Sequence, residues 1–403
     1  MRVRGFFLLM LLLVACAAPA ETTTEEQTAV IPPTETAAPT SEPTATTPPE
    51  PTETLAPTET PEPEPTATLA PTPTDTPEPT ATAIPVETFS TETAVQERLV
   101  LFSETAVIPR EQGNKYLNGG AIIFHDGQFH MFSNFFNTWP GRTVTYYYTS
   151  PDGQAWTRNV EEPLFTVDDV PLDGTGALAL TGLVLPDGTW TLYYHTFTSG
   201  GRPGFIGRAT ATNPLGPWTF DAEPVLTPGS SGEWDDLQVM RVNVLSHNGG
   251  YVMYYAGVSD DRMSRIGMAT SPDGIVWEKY DDPATTEAPY AESDPILVPA
   301  LDWEGGWLGR PEVVQTDDGW VMFYEGGSRG SKTGLAVSDD GVNFTRYEAN
   351  PILTTENMVN SYTFFQGALA HQDDTYYYLI EAGNGRIGTD IFLYTLEGAL
   401  LDS

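Results

Sequence analysis

From residue 116 onward the chain repeats one pattern of apolar and polar positions. A short aliphatic run leads into a polar turn, and an aromatic-rich run follows. The pattern occurs as AIIFHDGQFHMFSN (121–134), GLVLPDGTWTLYYH (182–195), NVLSHNGGYVMYYAG (243–257), EVVQTDDGWVMFYEGG (312–327) and ALAHQDDTYYYLIEAG (368–383). Asp126, Asp187, Asn248, Asp317 and Asp373 mark the turns, spaced by 61, 61, 69 and 56 residues. Asp-Gly or Asn-Gly between apolar runs is a strong hairpin signal. No stretch shows helical periodicity.

Two further elements accompany most copies. One is a small-residue strand, an acidic turn and an aromatic residue: TSPDGQAW (149–156), TSPDGIVW (270–277) and VSDDGVNF (337–344), with TNPLGPW (212–218) in the second copy. The other is a Pro-led apolar triplet: Pro163-Leu164-Phe165, Pro224-Val225-Leu226, Pro295-Ile296-Leu297 and Pro351-Ile352-Leu353. Each copy reads as four short antiparallel strands, and radial repetition of such sheets is a β-propeller. The fold class is therefore all-β, a five-bladed propeller, with blades at about 116–165, 173–226, 234–297, 303–353 and 360–398. The fifth copy lacks an outer strand. Arg98 to Phe102 has the right length to supply it and close the ring.

Before residue 97 the pattern is absent. Met1 to Ala20 carries Arg2 and Arg4, then an apolar stretch from Phe6 to Val14. That stretch is too short to span a bilayer and fits a secretory signal. Leu13-Val14-Ala15-Cys16 resembles a bacterial lipobox, which implies a signal peptide of residues 1–15 and a lipidated Cys16. Residues 16–96 are dominated by Thr, Pro, Glu and Ala, and 17 of the 35 prolines lie between Pro19 and Pro85. Such a segment has too little apolar surface to offset its ordering entropy. It reads as a disordered tether, which would reach on the order of 250 Å if fully extended. The expected location is outside the bacterial cytoplasmic membrane, held by the lipid alone.

Composition narrows the partners. The 403 residues carry 55 Asp and Glu against 18 Lys and Arg, a net charge of -37. From Leu99 onward there are 40 acids and 15 bases, so the repeated part is itself acidic at a net of -25. Nucleic acid is excluded as a partner, because phosphate contacts need clustered cations. A single Cys excludes a disulfide framework and a Cys-rich zinc site. No metal-ligand spacing stands out. Acidic loops could hold a structural Ca²⁺ on the axis, without an assignable ligand set.

The SPDGxxW turns and Pro-Ile-Leu tails resemble the propeller glycosidases, glycoside hydrolase families 32, 43, 68 and 130. The turns also resemble the sialidase Asp box, one residue short. The glycosidase resemblance covers about residues 98–403. It implies acidic residues on the inner strands, with paired carboxylates about 5 to 10 Å apart at the glycosidic bond. The family opens an inner strand with Asp-Pro-x-aliphatic-aliphatic. Here Arg310-Pro311-Glu312-Val313-Val314 carries Arg for Asp, and the family's acid Glu falls on Gly309. The equivalent positions in the other blades are Gly119 beside Asn118, Leu180, Arg241 and Gln366. None is acidic.

The candidate set is accordingly unusual. Glu312 is the first choice for an acid or base, with Asp173 or Asp236 as partner. Arg241, Arg310, Asn243, Gln366 and Asn118 are the candidate substrate contacts. Two arginines would favour an anionic sugar, or else belong to a buried ion-pair network. Asn134, His195, Glu325 and Glu381 occupy one slot after the second strands and suggest a polar ring. Trp139, Trp234, Trp303 and Trp307 would either stack on sugars or pack loops against blades. The leading expectation is a cell-surface protein that binds or processes an oligo- or polysaccharide. The alternatives are a non-catalytic glycan- or protein-binding propeller and a sialidase-like hydrolase.

Overall fold

The computed structural model describes residues 86–111, 113–198, 204–327, 332–358, 363–384 and 387–400, without the side chains of 363–366 and 384. The expected signal segment, Cys16 and the expected tether up to residue 85 lie outside the described residues.

Five antiparallel sheets follow one another along the chain. Blade one is Tyr116–His125, Gln128–Phe136, Thr143–Ser150 and Thr157–Arg158. Blade two is Gly176–Val184, Trp190–Phe197, Gly204–Ala211 and Thr219–Phe220. Blade three is Gln238–His247, Gly250–Val258, Ser264–Ser271 and Glu278–Lys279. Blade four is Leu308–Thr316, Gly319–Gly326, Lys332–Ser338 and Thr345–Tyr347. Blade five is Thr363–Gln372, Thr375–Asn384 and Gly388–Glu397, and its fourth strand is Val100–Leu101. Val100 pairs with Thr395 and Leu101 with Tyr394, so a segment from before the first blade completes the last. The residues just upstream pack on blade four. Thr88–Phe89 runs parallel to its outer strand, and Arg98 donates to the carbonyls of Glu397, Gly398 and Ala399 in blade five.

The local chemistry explains these elements. At Asp126-Gly127 and Asn248-Gly249 both turn residues have positive φ, the requirement of a two-residue hairpin that matches strand twist. In the SPDG-type turns a Ser hydroxyl donates to the Asp carboxylate at 2.9–3.1 Å, and that carboxylate accepts two backbone N–H groups. In blade two Leu215 stands where the Asp would be, and Asn213 replaces the Ser, accepting from Leu215 N–H at 3.0 Å as Ser150 accepts from Asp152 N–H in blade one. The Pro-led triplets in blades one, three and four continue into strands that pair with the free half of each third strand.

The apolar core lies between blades. One cluster joins blades four and five through Val321, Phe323, Leu369 and Tyr378, and another joins blades two and three through Leu178, Tyr193, Val242 and Met253. Buried tyrosines also tie neighbours by hydrogen bonds. Tyr193 of blade two donates to the Gly274 carbonyl of blade three, and Tyr254 of blade three donates to Gly341 of blade four, both at 2.8 Å. No helix among the described residues is long and apolar enough to cross a membrane.

Candidate functional site

Each inner strand carries an irregularity at the same level. The register shifts at Asn118/Ala121, Ala179/Thr181, Met240/Asn243, Gly309/Glu312 and Phe365/Gly367. The residues skipped are Gly119 and Gly120, Leu180, Arg241 and Val242, Arg310 and Pro311, and Gln366. The sequence places the family's acidic position at this level. Bulges re-aim side chains and are common beside functional sites. Arg241 and Arg310 adopt positive φ, 53° and 41°; in blade one the positive φ, 68°, falls one position later, on Gly120. A left-handed residue with a side chain costs about 1 kcal/mol or more, so the surrounding structure holds both arginines there.

The slot eight residues after each hairpin turn faces these bulges. It holds Asn134, His195, Ala256, Glu325 and Glu381, all at most 2% exposed. The ring suggested by sequence therefore exists, but it is buried. Glu325 is ion-paired with Arg241. Glu381 accepts from Thr389 Oγ1 at 2.7 Å and from Asn118 Nδ2 at 3.2 Å. Asn134 Nδ2 donates to Asn118 Oδ1 at 3.2 Å and to the Ala179 carbonyl at 2.8 Å. His195 Nε2 lies 3.4 Å from Gln238 Nε2.

Glu312 is hydrogen-bonded through both carboxylate oxygens. Arg310 Nε donates to its Oε1 at 2.8 Å, and Leu369 N–H of blade five donates to Oε2 at 3.1 Å. The equivalent residues one and two blades earlier do the same thing. Asn243 Oδ1 accepts from Val313 N–H at 3.3 Å, and Thr181 Oγ1 accepts from Val244 N–H at 3.2 Å. Thr181, Asn243 and Glu312 thus clip the inner strand of one blade to the next. The shared face expected for Arg310 and Glu312 is present, as an ion pair inside the fold.

The other candidates separate. Asp173 is exposed in the loop before blade two. Asp236 lies in the loop before blade three and accepts from Gly232 N–H at 2.8 Å. Neither contacts Glu312 among the described residues. The carboxylate shown near Glu312 is Glu325, which also lies near Glu381, because strand pairing brings these three inward. Asn118 is a buried linker, and Gln366 sits at its bulge with its side chain outside the described residues. Both arginines have carboxylate partners, so they do not form a cationic pair for an anionic sugar.

The tryptophans divide in the same way. Trp234 is fully buried on Tyr255, and Trp303 packs on Tyr324. Beside each, an acid binds the tyrosine hydroxyl and a basic residue: Asp235 with Lys279, Glu304 with Arg346. These two are loop-to-blade packing. Trp307 is partly exposed and lies under the Arg241 guanidinium at 5.8 Å. Its Nε1 has no hydrogen-bond partner among the described residues. A Cβ at Gly309 would meet Trp307 Nε1 at 3.0 Å and Arg241 Nη1 at 3.3 Å, so the position aligned with the family's acid is closed by these two side chains.

Burial dominates the electrostatics. It pushes Glu381 up to about 7, against the pull of its bonds to Thr389 and Asn118. It also pushes Glu312 up to about 7, although Arg310 and the Leu369 N–H pull the other way. His195 is pushed down to about 3 by burial and by Arg241, so it is neutral at ordinary pH. Among the described residues no three His, Cys, Asp or Glu side chains are placed to hold a metal ion, and the Ca²⁺ considered from sequence has no ligand set there.

Sequence reasoning missed Gln238, Thr389 and the clip role of the Thr181–Asn243–Glu312 level. The constant eight-residue offset from each turn was the signal for the ring.

Solved structures share this fold. A structure of a BT0996 complex with RGII matches with a TM-score of 0.60 at 16% identity, over 76% of this chain and 94% of its own. One from a report that the GH130 family of mannoside phosphorylases contains glycoside hydrolases targeting beta-1,2 mannosidic linkages in Candida mannan matches with a TM-score of 0.57 at 17% identity, over 79% and 99%. The beta-1,2-mannobiose phosphorylase of Listeria innocua, in complex with beta-1,2-mannobiose, matches with a TM-score of 0.53 at 12% identity, over 74% and 96%. No protein-family model and no curated protein matches the chain. The chain is thus a five-bladed propeller of the kind found in glycoside hydrolases and phosphorylases.

Proposed function

We propose that the propeller recognises a neutral carbohydrate at the mouth of its axis, and that recognition rather than bond cleavage is its activity. One observation carries this reading. Each axial carboxylate is already engaged: Glu312 by Arg310 and Leu369 N–H, Glu325 by Arg241, Glu381 by Thr389 and Asn118. A two-carboxylate mechanism needs acids that face the scissile bond. The carbohydrate part is supported by the fold shared with structures named for RGII, mannan and mannobiose. Above the buried ring, Gln238 and Arg241 are partly exposed and offer donors to sugar hydroxyls, with the partly exposed Trp307 ring beside Arg241. Neutral sugar is favoured because each guanidinium has a carboxylate partner and the repeated domain is strongly acidic.

A second reading, hydrolysis, has one observation in its favour. Glu312 and Glu381 are both held near 7, the range that suits a general acid or base. The lipobox-like segment further supports display outside the cell on a lipid at Cys16, with the Thr/Pro/Glu-rich tether as spacer. Loss of membrane fractionation in Cys16→Ser would test that display.

The decisive experiment screens the full-length protein against arabinan, fructan, mannoside and uronide ligands for binding by calorimetry and for released sugar. Binding of a neutral glycan without turnover supports recognition. Turnover that Glu381→Gln or Glu312→Gln abolishes moves the assignment to hydrolysis. Absence of binding to any of the four overturns the carbohydrate reading.

A further inference from the structure

Trp139 is the one exposed tryptophan among the described residues, with 51% of its surface in water. It follows blade one's second strand, Gln128–Phe136, and so lies at the end of the propeller where Asn134 and the polar ring sit. Its ring rests on Phe197 at 4.6 Å and on Phe136 at 5.7 Å, and Phe136 stacks on Tyr116 at 5.2 Å. Phe197 and Phe136 are buried, so the indole has a rigid base and one open side. Phe197 also touches His195, with ring centroids 5.7 Å apart, and His195 reaches Gln238. Arg241 then lies over Trp307. Contacts thus run from Trp139 through Phe197 and His195 of blade two to the partly exposed Gln238 of blade three.

We propose that Trp139 is the stacking platform of a second sugar subsite, which takes the adjoining ring of a neutral oligosaccharide whose first ring lies over Gln238 and Arg241. The inference rests on the carbohydrate reading above and extends it from one ring to at least two. The occupant follows from chemistry. A single rigid aromatic face with polar flanks at Asn137, Thr138 and Arg142 matches the C–H face of a pyranose or furanose ring. A protein partner would need a broader apolar patch. An anionic ring is disfavoured, because Arg142 is ion-paired with Asp168 and the domain carries a net charge of -25 from 15 bases and 40 acids.

The test is calorimetric titration of the full-length protein with trisaccharides of mannose, arabinose and fructose and with the matching monosaccharides. For the trisaccharide that binds, Trp139→Ala should weaken affinity roughly three- to ten-fold, the contribution of one aromatic contact. The loss should be smaller for the monosaccharide, and Trp139→Phe should recover most of it. Trisaccharide affinity unchanged in Trp139→Ala, or an equal loss on both ligands, overturns the second subsite and leaves the axial site standing. Failure of the unaltered protein to bind any trisaccharide overturns the parent reading instead.

Discussion

Glu381→Gln should make the propeller more stable at alkaline pH and leave it unchanged in mild acid. Glu381 is 2% exposed, and its bonded partners, Thr389 and Asn118, are neutral. Burial raises it from 4.5 to about 7. Between those values the folded chain holds a proton that the unfolded chain has lost, so stability falls as pH rises through the window. The difference, at about 1.36 kcal/mol per pH unit, gives a penalty of about 3 kcal/mol above neutrality. Gln matches the shape. Its oxygen can accept from Asn118, and its amide can donate to Thr389 Oγ1, so little is lost in exchange. The gain corresponds to roughly 5 °C in melting temperature for a domain of this size. Thermal unfolding of both proteins, followed by calorimetry from about pH 5 to pH 8.5, reads it directly. Curves that stay parallel across the range would refute the reasoning, because the buried carboxylate would then not be the group that titrates.

Two further outcomes follow from the same packing. Glu312→Ala leaves Arg310 buried without its carboxylate and should cost about 3–5 kcal/mol in denaturant unfolding, with most of it recovered in the Glu312→Ala, Arg310→Met pair; a single-variant loss under about 1 kcal/mol would argue against the clip. Trp234→Ala, at a fully buried site against Tyr255, should cost about 3–5 kcal/mol, whereas Trp139→Ala, at a half-exposed site, should cost about 1–2 kcal/mol; similar losses would contradict the division of the tryptophans into packing and platform.

Much of the fold was legible because each blade is a local event. Alternating apolar runs around Asp-Gly and Asn-Gly specify a hairpin within about 15 residues, and Ser-Pro-Asp-Gly specifies the next turn through bonds spanning a few residues. Repetition five times then leaves a propeller as the way to bury both faces of each sheet. The fifth blade's missing outer strand was also visible, as a count that did not close.

The site was only partly legible. The positions were found: Arg241, Arg310, Glu312, Glu325, Glu381 and Asn118 all converge on the axis. Their partners were not, because partners on different blades are fixed by ring geometry rather than by spacing along the chain. Glu312 looks like a catalytic acid in its own strand. Seen with Thr181 and Asn243 at the same level of their blades, it is a bond between neighbours. Asp173 and Asp236 look equally suitable in sequence, yet they sit on rim loops that strand pairing keeps from the axis. Sequence by itself determined the repeat, the turns, the ring and the acidic surface, since those depend on local periodicity and composition. Only tertiary structure decided which charges are spent on holding blades together and which side chains remain open to a ligand, since burial and cross-blade distance exist only once the ring has closed.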